Sequence, residues 1–117
     1  MNVLTNLYKT LSDETRLRIL MLLMQDALCV CQINGIIGAS QPKISKNLSK
    51  LRDLNYVIDT RKEKFVYYTL NKEHPLLLKT LESIFSDLED YPILIQDRSK
   101  SLHKEQFITV SQIEHMY

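Results

Sequence analysis

The chain has 117 residues, 44% apolar and 25% charged, with a formal net charge of +1. That is one domain's worth of ordinary globular composition, too small for an enzyme with a separate substrate domain and too apolar for disorder throughout. No run of roughly 18 apolar residues is present, which argues against a membrane span. The opening MNVLTNLYKTLSDETR lacks a basic segment followed by an apolar one, so it does not read as a secretory signal. Two cysteines are too few for a disulfide framework, and the expectation is a protein of the reducing cytoplasm.

Two glycines and three prolines punctuate a chain that is expected to be largely helical. An apolar-periodic segment over Val3–Leu11 predicts a first helix. A second follows in SDETRLRILMLLMQ, capped by Ser12 or Asp13, with Glu14 at its positive end. Leu17, Leu20, Met21 and Met24 are expected on its one buried face. Cys31 to Ile37 predicts a short third helix that stops near Gly38.

SQPKISKNLSKLRDLNY is the clearest helix in the chain. Ser40 is its cap, and Pro42 falls in the first turn, where a missing N–H costs nothing. Ile44, Leu48 and Leu51 form a buried stripe, whereas Lys43, Lys46, Ser49 and Lys50 point away from it. In YVIDTRKEKFVYYTL, Val57–Ile58 and Phe65–Thr69 are strand formers, and the charged residues Arg61–Lys64 suit a hairpin tip. Pro75 opens a long helix with the stripe Leu76, Leu77, Thr80, Leu81, Ile84, Phe85 and Leu88, which Pro92 is expected to end or kink. The stripe calls for a partner surface. Residues 96–117 are weakly patterned and only partly helical.

The charge is unevenly spread. Residues 40–64 hold seven basic side chains (Lys43, Lys46, Lys50, Arg52, Arg61, Lys62, Lys64) against three acidic ones (Asp53, Asp59, Glu63), a net +4. A local basic patch in a near-neutral protein is the footprint of a polyanion-binding face, with a solvated charged surface as the plainer reading. The order of helix, helix, short helix, basic helix, strand pair and long helix is the outline of a winged helix-turn-helix, mainly α with a small β-hairpin wing. An α-helix fits the major groove of B-DNA. Ser40, Gln41, Ser45 and Asn47 are suited to base edges or phosphates, and Lys43, Lys46 and Lys50 to phosphates. Arg61, Lys62 and Lys64 on the wing suit the adjacent backbone or minor groove.

The two cysteines lie in DALCVCQING. Cys29 and Cys31 are small buried hydrophobes, a disulfide pair or ligands. Side chains at i and i+2 point about 200° apart on a regular helix, so joint ligation requires non-helical backbone. The start of the third helix supplies such a place, and a helix N-terminus favours the thiolate. A soft ion pulling both sulfurs to one side would distort that first turn and shift the basic helix that leans on it.

LYKTLSDETRLRILMLL, ALCVCQI, SQPKISKNLSKLRDLNYV and DTRKEKFVYYTL together resemble successive signatures of the ArsR-type family of arsenic-repressor and metal-sensing transcriptional regulators. The similarity covers roughly residues 4–71, and C-V-C-x-I resembles the arsenic- and antimony-responsive branch. The resemblance implies a homodimer built from the first and last helices. That dimer binds a double-stranded DNA operator and is released by arsenite or antimonite, with Cys29 and Cys31 as ligands and no organic cofactor. A third cysteine often follows in the family three residues after the second; here that position is Asn34, which leaves the third ligand open. The acidic residue that usually follows the second cysteine is Gln32. A zinc-type site on the last helix is disfavoured, because His74, His103 and His115 form no such pair there. The competing readings are a redox-sensing repressor that closes a Cys29–Cys31 disulfide, and a winged helix protein-interaction module without an inducer. No nucleophile–base pair with catalytic spacing is present, so an enzyme is not expected. The expected division is residues 1–95 as the DNA-binding and dimerisation domain and 96–117 as a tail.

Overall fold

In the computed structural model, which describes residues 2–107, six helices pack around one another and a three-stranded antiparallel sheet. His115 and the rest of 108–117 lie outside the described residues. Helix α1 spans Asn2–Leu11 and α2 spans Glu14–Gln25. Asp13 caps α2 by accepting the Arg16 backbone N–H at 2.9 Å. The expected single buried face of α2 is too narrow. Ile19, Leu20, Met21, Leu22 and Leu23 are all buried, while Leu17 and Met24 are half-buried. The cause is position: four other helices and a strand all pack against α2, and a helix apolar all round is a buried one.

Strand β1 is only Leu28–Cys29, and α3 follows at Val30–Ile37. Gly38 closes α3 with φ +82°, the left-handed conformation that glycine adopts without a Cβ penalty. Helix α4, Gln41–Asp53, starts at Ser40, whose hydroxyl accepts the Lys43 N–H at 3.4 Å, and carries Pro42 in its first turn. Its stripe of Ile44, Leu48 and Leu51 is fully buried, as expected.

Strands β2 (Val57–Lys62) and β3 (Phe65–Leu70) form the wing, with strand order β1-β3-β2. The turn is tighter than the expected tip. Arg61 and Lys62 remain in the ladder opposite Val66 and Phe65, and only Glu63 and Lys64 make the turn. Glu63 takes φ +59° there. The third strand, β1, was not expected. Two residues are too short to show alternation, and its pairing is with β3, some forty residues on: Leu28 with Tyr68 and Cys29 with Tyr67.

Helix α5, Pro75–Ser86, buries Leu77 and Leu81. It ends ahead of Pro92, contrary to expectation. A short 3-10 turn follows at Leu88–Asp90, and Pro92 opens α6, Pro92–Ser101. Tyr91 before it lies outside the helical region (φ −125°, ψ 85°), which a following proline disfavours. Helix α6 runs through positions 95 and 96 and packs on α2 and α3. A second 3-10 turn, Lys104–Phe107, lies on α3.

Candidate nucleic-acid interface and thiol site

Helices α3 and α4 pack as the two arms of a helix-turn-helix, and α4 also packs on β2 at the root of the wing. The buried stripe of α4 determines what its other side shows. Ser40, Gln41, Lys43, Lys46 and Lys50 are exposed, and Ser45 and Asn47 are half-buried. The Asn47 amide donates to the Lys43 carbonyl at 3.0 Å. Arg61, Lys62 and Lys64 are exposed along the wing. Arg52 belongs to the same basic stretch but is occupied otherwise. Its Nη1 lies 3.2 Å from Asp59 Oδ2 and ties the end of α4 to β2.

The thiols meet where β1 becomes α3. Cys29 is the last strand residue and also the N-cap of α3, with extended backbone (φ −89°, ψ 169°). Cys31 sits in the first turn. This change of conformation between the two removes the opposition a regular helix would impose, and their Sγ atoms lie 2.9 Å apart. Both are free thiols, Cys29 2% and Cys31 7% exposed. The sulfurs are therefore already on one side, and no unwinding of the first turn is needed to bring them there, contrary to expectation. Gln32 holds the arrangement: its Oε1 accepts the Cys29 N–H at 3.0 Å from a buried position.

Burial works against the expected thiolate preference of a helix N-terminus at Cys31. Burial pushes its thiol up to about 12, and the neighbouring Cys29 thiol adds to the rise. The backbone N–H groups of Cys31 and Gln32 act in the opposite direction but do not offset the lost hydration.

Asn34 does not extend the pair. Its amide donates to the Ala39 carbonyl and pins the turn between α3 and α4. Among the described residues, no cluster of three or more His, Cys, Asp or Glu side chains is placed to hold a metal ion. His74 is not the surface residue expected. It is half-buried, caps α5 by accepting the Leu77 N–H at Nδ1 (3.3 Å), and meets Tyr56 edge-on at 5.3 Å. His103 is exposed.

Residues 13–59 match the family described as bacterial regulatory protein, arsR family. The arsenic resistance transcriptional regulator ArsR2 of Pseudomonas putida is 37% identical over 98 residues, 79% of this chain and 85% of the relative. The chain belongs to the arsR family. Arsenic-repressor-type regulators of this family are DNA-binding transcriptional regulators and not enzymes, and the exposed basic helix and wing fit that role. Among solved structures, the antimony-specific transcriptional repressor AntR superposes with a TM-score of 0.63 at 27% identity, covering 74% of this chain and 80% of that one. The homodimeric winged helix-turn-helix domain of Mb0332 from Mycobacterium bovis, a possible ArsR-family regulator, gives 0.62 at 28% identity, covering 74% and 80%. In the arsR-family chain, the wing, the helix-turn-helix and the thiol pair form one connected unit, because Cys29 pairs with the wing strand through Tyr67 and starts the first arm of the motif. No described helix is long and apolar enough to cross a membrane.

Proposed function

We propose that this chain is a homodimeric repressor that leaves its double-stranded DNA operator when arsenite or antimonite binds Cys29 and Cys31 together. The observation that carries the reading is the 2.9 Å approach of two buried free thiols at the head of a helix packed on the recognition helix. A trivalent metalloid hydroxide condenses with two protonated thiols, so each thiol proton leaves with a hydroxyl as water and two sulfur–metalloid bonds form. Thiolate sulfur is the ligand such soft centres prefer. The identities of ArsR2 and AntR support a metalloid inducer.

Seating an ion fixes the two sulfurs in one geometry: with metal–sulfur bonds of about 2.3 Å they share it roughly 3.3–3.8 Å apart. That constraint falls on the first turn of α3, and α3 passes it to α4 through their packing and the Asn34–Ala39 link. On DNA, Lys43, Lys46, Lys50, Arg61, Lys62 and Lys64 neutralise phosphates, while Ser40, Gln41, Ser45 and Asn47 meet bases or phosphates. Two such helices in a dimer must keep the spacing of one DNA turn, so a small shift in each weakens both. The inducer acts only insofar as it binds the released form more tightly than the DNA-bound form. Val3, Leu4 and Tyr8 leave apolar surface exposed on α1 (58%, 37% and 62%), where a second copy is expected to sit.

A fluorescent operator complex titrated in parallel with arsenite, zinc and hydrogen peroxide tests the reading. Arsenite is expected to release DNA and zinc is not. Release by peroxide with none by arsenite would replace the metalloid by a Cys29–Cys31 disulfide as the signal.

A further inference from the structure

Gly35 has no backbone reason to be a glycine. It lies inside α3, and of the chain's two glycines only Gly38 takes a positive φ. At an ordinary helical position glycine costs about 1 kcal/mol relative to alanine. The reason lies across the contact. The Phe107 ring occupies the space that a Cβ at position 35 would need, so glycine lets the ring rest on the helix backbone. Two further ties hold the same C-terminal stretch in place. Lys104 pairs with Asp26, the residue that ends α2 ahead of β1. Asp97 pairs with Arg18, whose Nη2 also reaches the Ile37 carbonyl at the end of α3 (3.5 Å). Helix α3 in turn supports α4 through their packing and the Asn34–Ala39 link.

We infer that the turn Lys104–Phe107 is a clasp that fixes the helix-turn-helix for operator binding, with Phe107 as its positioning residue. The inference rests on the operator reading above and needs neither the thiols nor an inducer. Phe107 acts through α3 and contributes no phosphate contact. Freed of the ring, α3 loses a support on the side facing the C-terminal turn, and α4 moves with it. Motion that must be stilled on binding subtracts from affinity. Two copies of α4 in a dimer must hold the spacing of one DNA turn, so the looseness counts in both protomers. The lysines of α4 and the wing are unchanged, so the electrostatic share of binding stays as it was.

The test uses the full chain and a fluorescent operator duplex, with affinity measured across a salt series. Phe107→Gly is expected to weaken binding about fivefold at every salt concentration, the size of a modest coupling between separate sites. The slope against salt should not change. Hydrogen exchange of the free variant should accelerate over Val30–Ile37 while α2 stays protected. Gly35→Ala attacks the contact from the other side and should weaken binding similarly. In the double variant, Gly35→Ala should add less than a twofold loss, because the ring it displaces is gone. Binding by Phe107→Gly within twofold of the wild type overturns the clasp, and so do fully additive losses in the double variant. A shallower salt slope in Phe107→Gly also overturns it, since the turn would then hold phosphate itself. All three outcomes leave the operator reading standing. Absence of operator binding by the wild-type chain overturns that reading and the clasp with it.

Discussion

Arg18 of α2 and Asp97 of α6 form a two-point ion pair, Nε to Oδ2 at 2.9 Å and Nη2 to Oδ1 at 2.8 Å. The side chains are 14% and 3% exposed. Removing one partner of a buried pair strands the other charge, at a cost of roughly 3–5 kcal/mol. Asp97→Ala is therefore expected to lower the stability measured by urea unfolding by about 3 kcal/mol or more. A loss below about 1 kcal/mol, the worth of an exposed pair, would show that the charges are solvated in solution. The same pair leads us to propose that α6 folds with the preceding helices, so a chain ending at residue 95 should unfold at lower urea.

Gly35 sits under the Phe107 ring, and a Cβ at position 35 would overlap it. Gly35→Ala gains about 1 kcal/mol of helix propensity in α3 but displaces Phe107. Hydrogen exchange should accelerate over residues 104–107 in the variant. In the Phe107→Gly background, which removes every atom of residue 107 that the new Cβ would overlap, Gly35→Ala should become stabilising through the propensity gain. An unchanged effect of Gly35→Ala in that background would mean the turn does not rest on α3.

The Cys31 thiol is pushed up to about 12 from an ordinary 9.0, chiefly by burial. Its folded-state value lies above its unfolded one, so the neutral thiol's contribution is complete below about pH 9 and is lost as pH rises toward about 12. Burial raises Tyr56 and Tyr67 in the same sense. Urea midpoints of the ligand-free protein should fall with alkaline pH, and the fall should be shallower in Cys31→Ala. Parallel pH profiles for the two proteins would contradict the burial of that thiol.

Lys46 and Lys50 lie exposed on the outer side of α4. If each neutralises one phosphate, replacing both by alanine removes four contacts from the dimer and reduces the slope of log affinity against log salt by about 3.6. Folding stability should be nearly unchanged. An unaltered salt slope would remove this face from the DNA interface.

Much of this fold was legible because its helices carry strong local signals. The Ser40 cap, Pro42 and the Ile44, Leu48, Leu51 stripe define α4, and Gly38 stops α3. What escaped was non-local. The strand Leu28–Cys29 exists through its pairing with Tyr67 and Tyr68, and two residues carry no period. Its consequence, the extended Cys29 backbone, is what puts the two sulfurs together. The all-round burial of α2 depends on how many elements surround it. The Arg18–Asp97 pair joins positions far apart in the chain, and the weak pattern after residue 95 gave no sign of it. The protonated state of Cys31 reflects burial, which outweighs the local helix-end effect.

The central claim is that Cys29 and Cys31 hold the inducer as a pair. Its most direct test is arsenite-driven release of a fluorescent operator, measured for the wild-type chain, Cys29→Ser and Cys31→Ser at matched DNA occupancy. Both variants should bind the operator as the wild type does and remain bound at arsenite concentrations that free the wild type. Wild-type release from either variant would contradict the paired-thiol site.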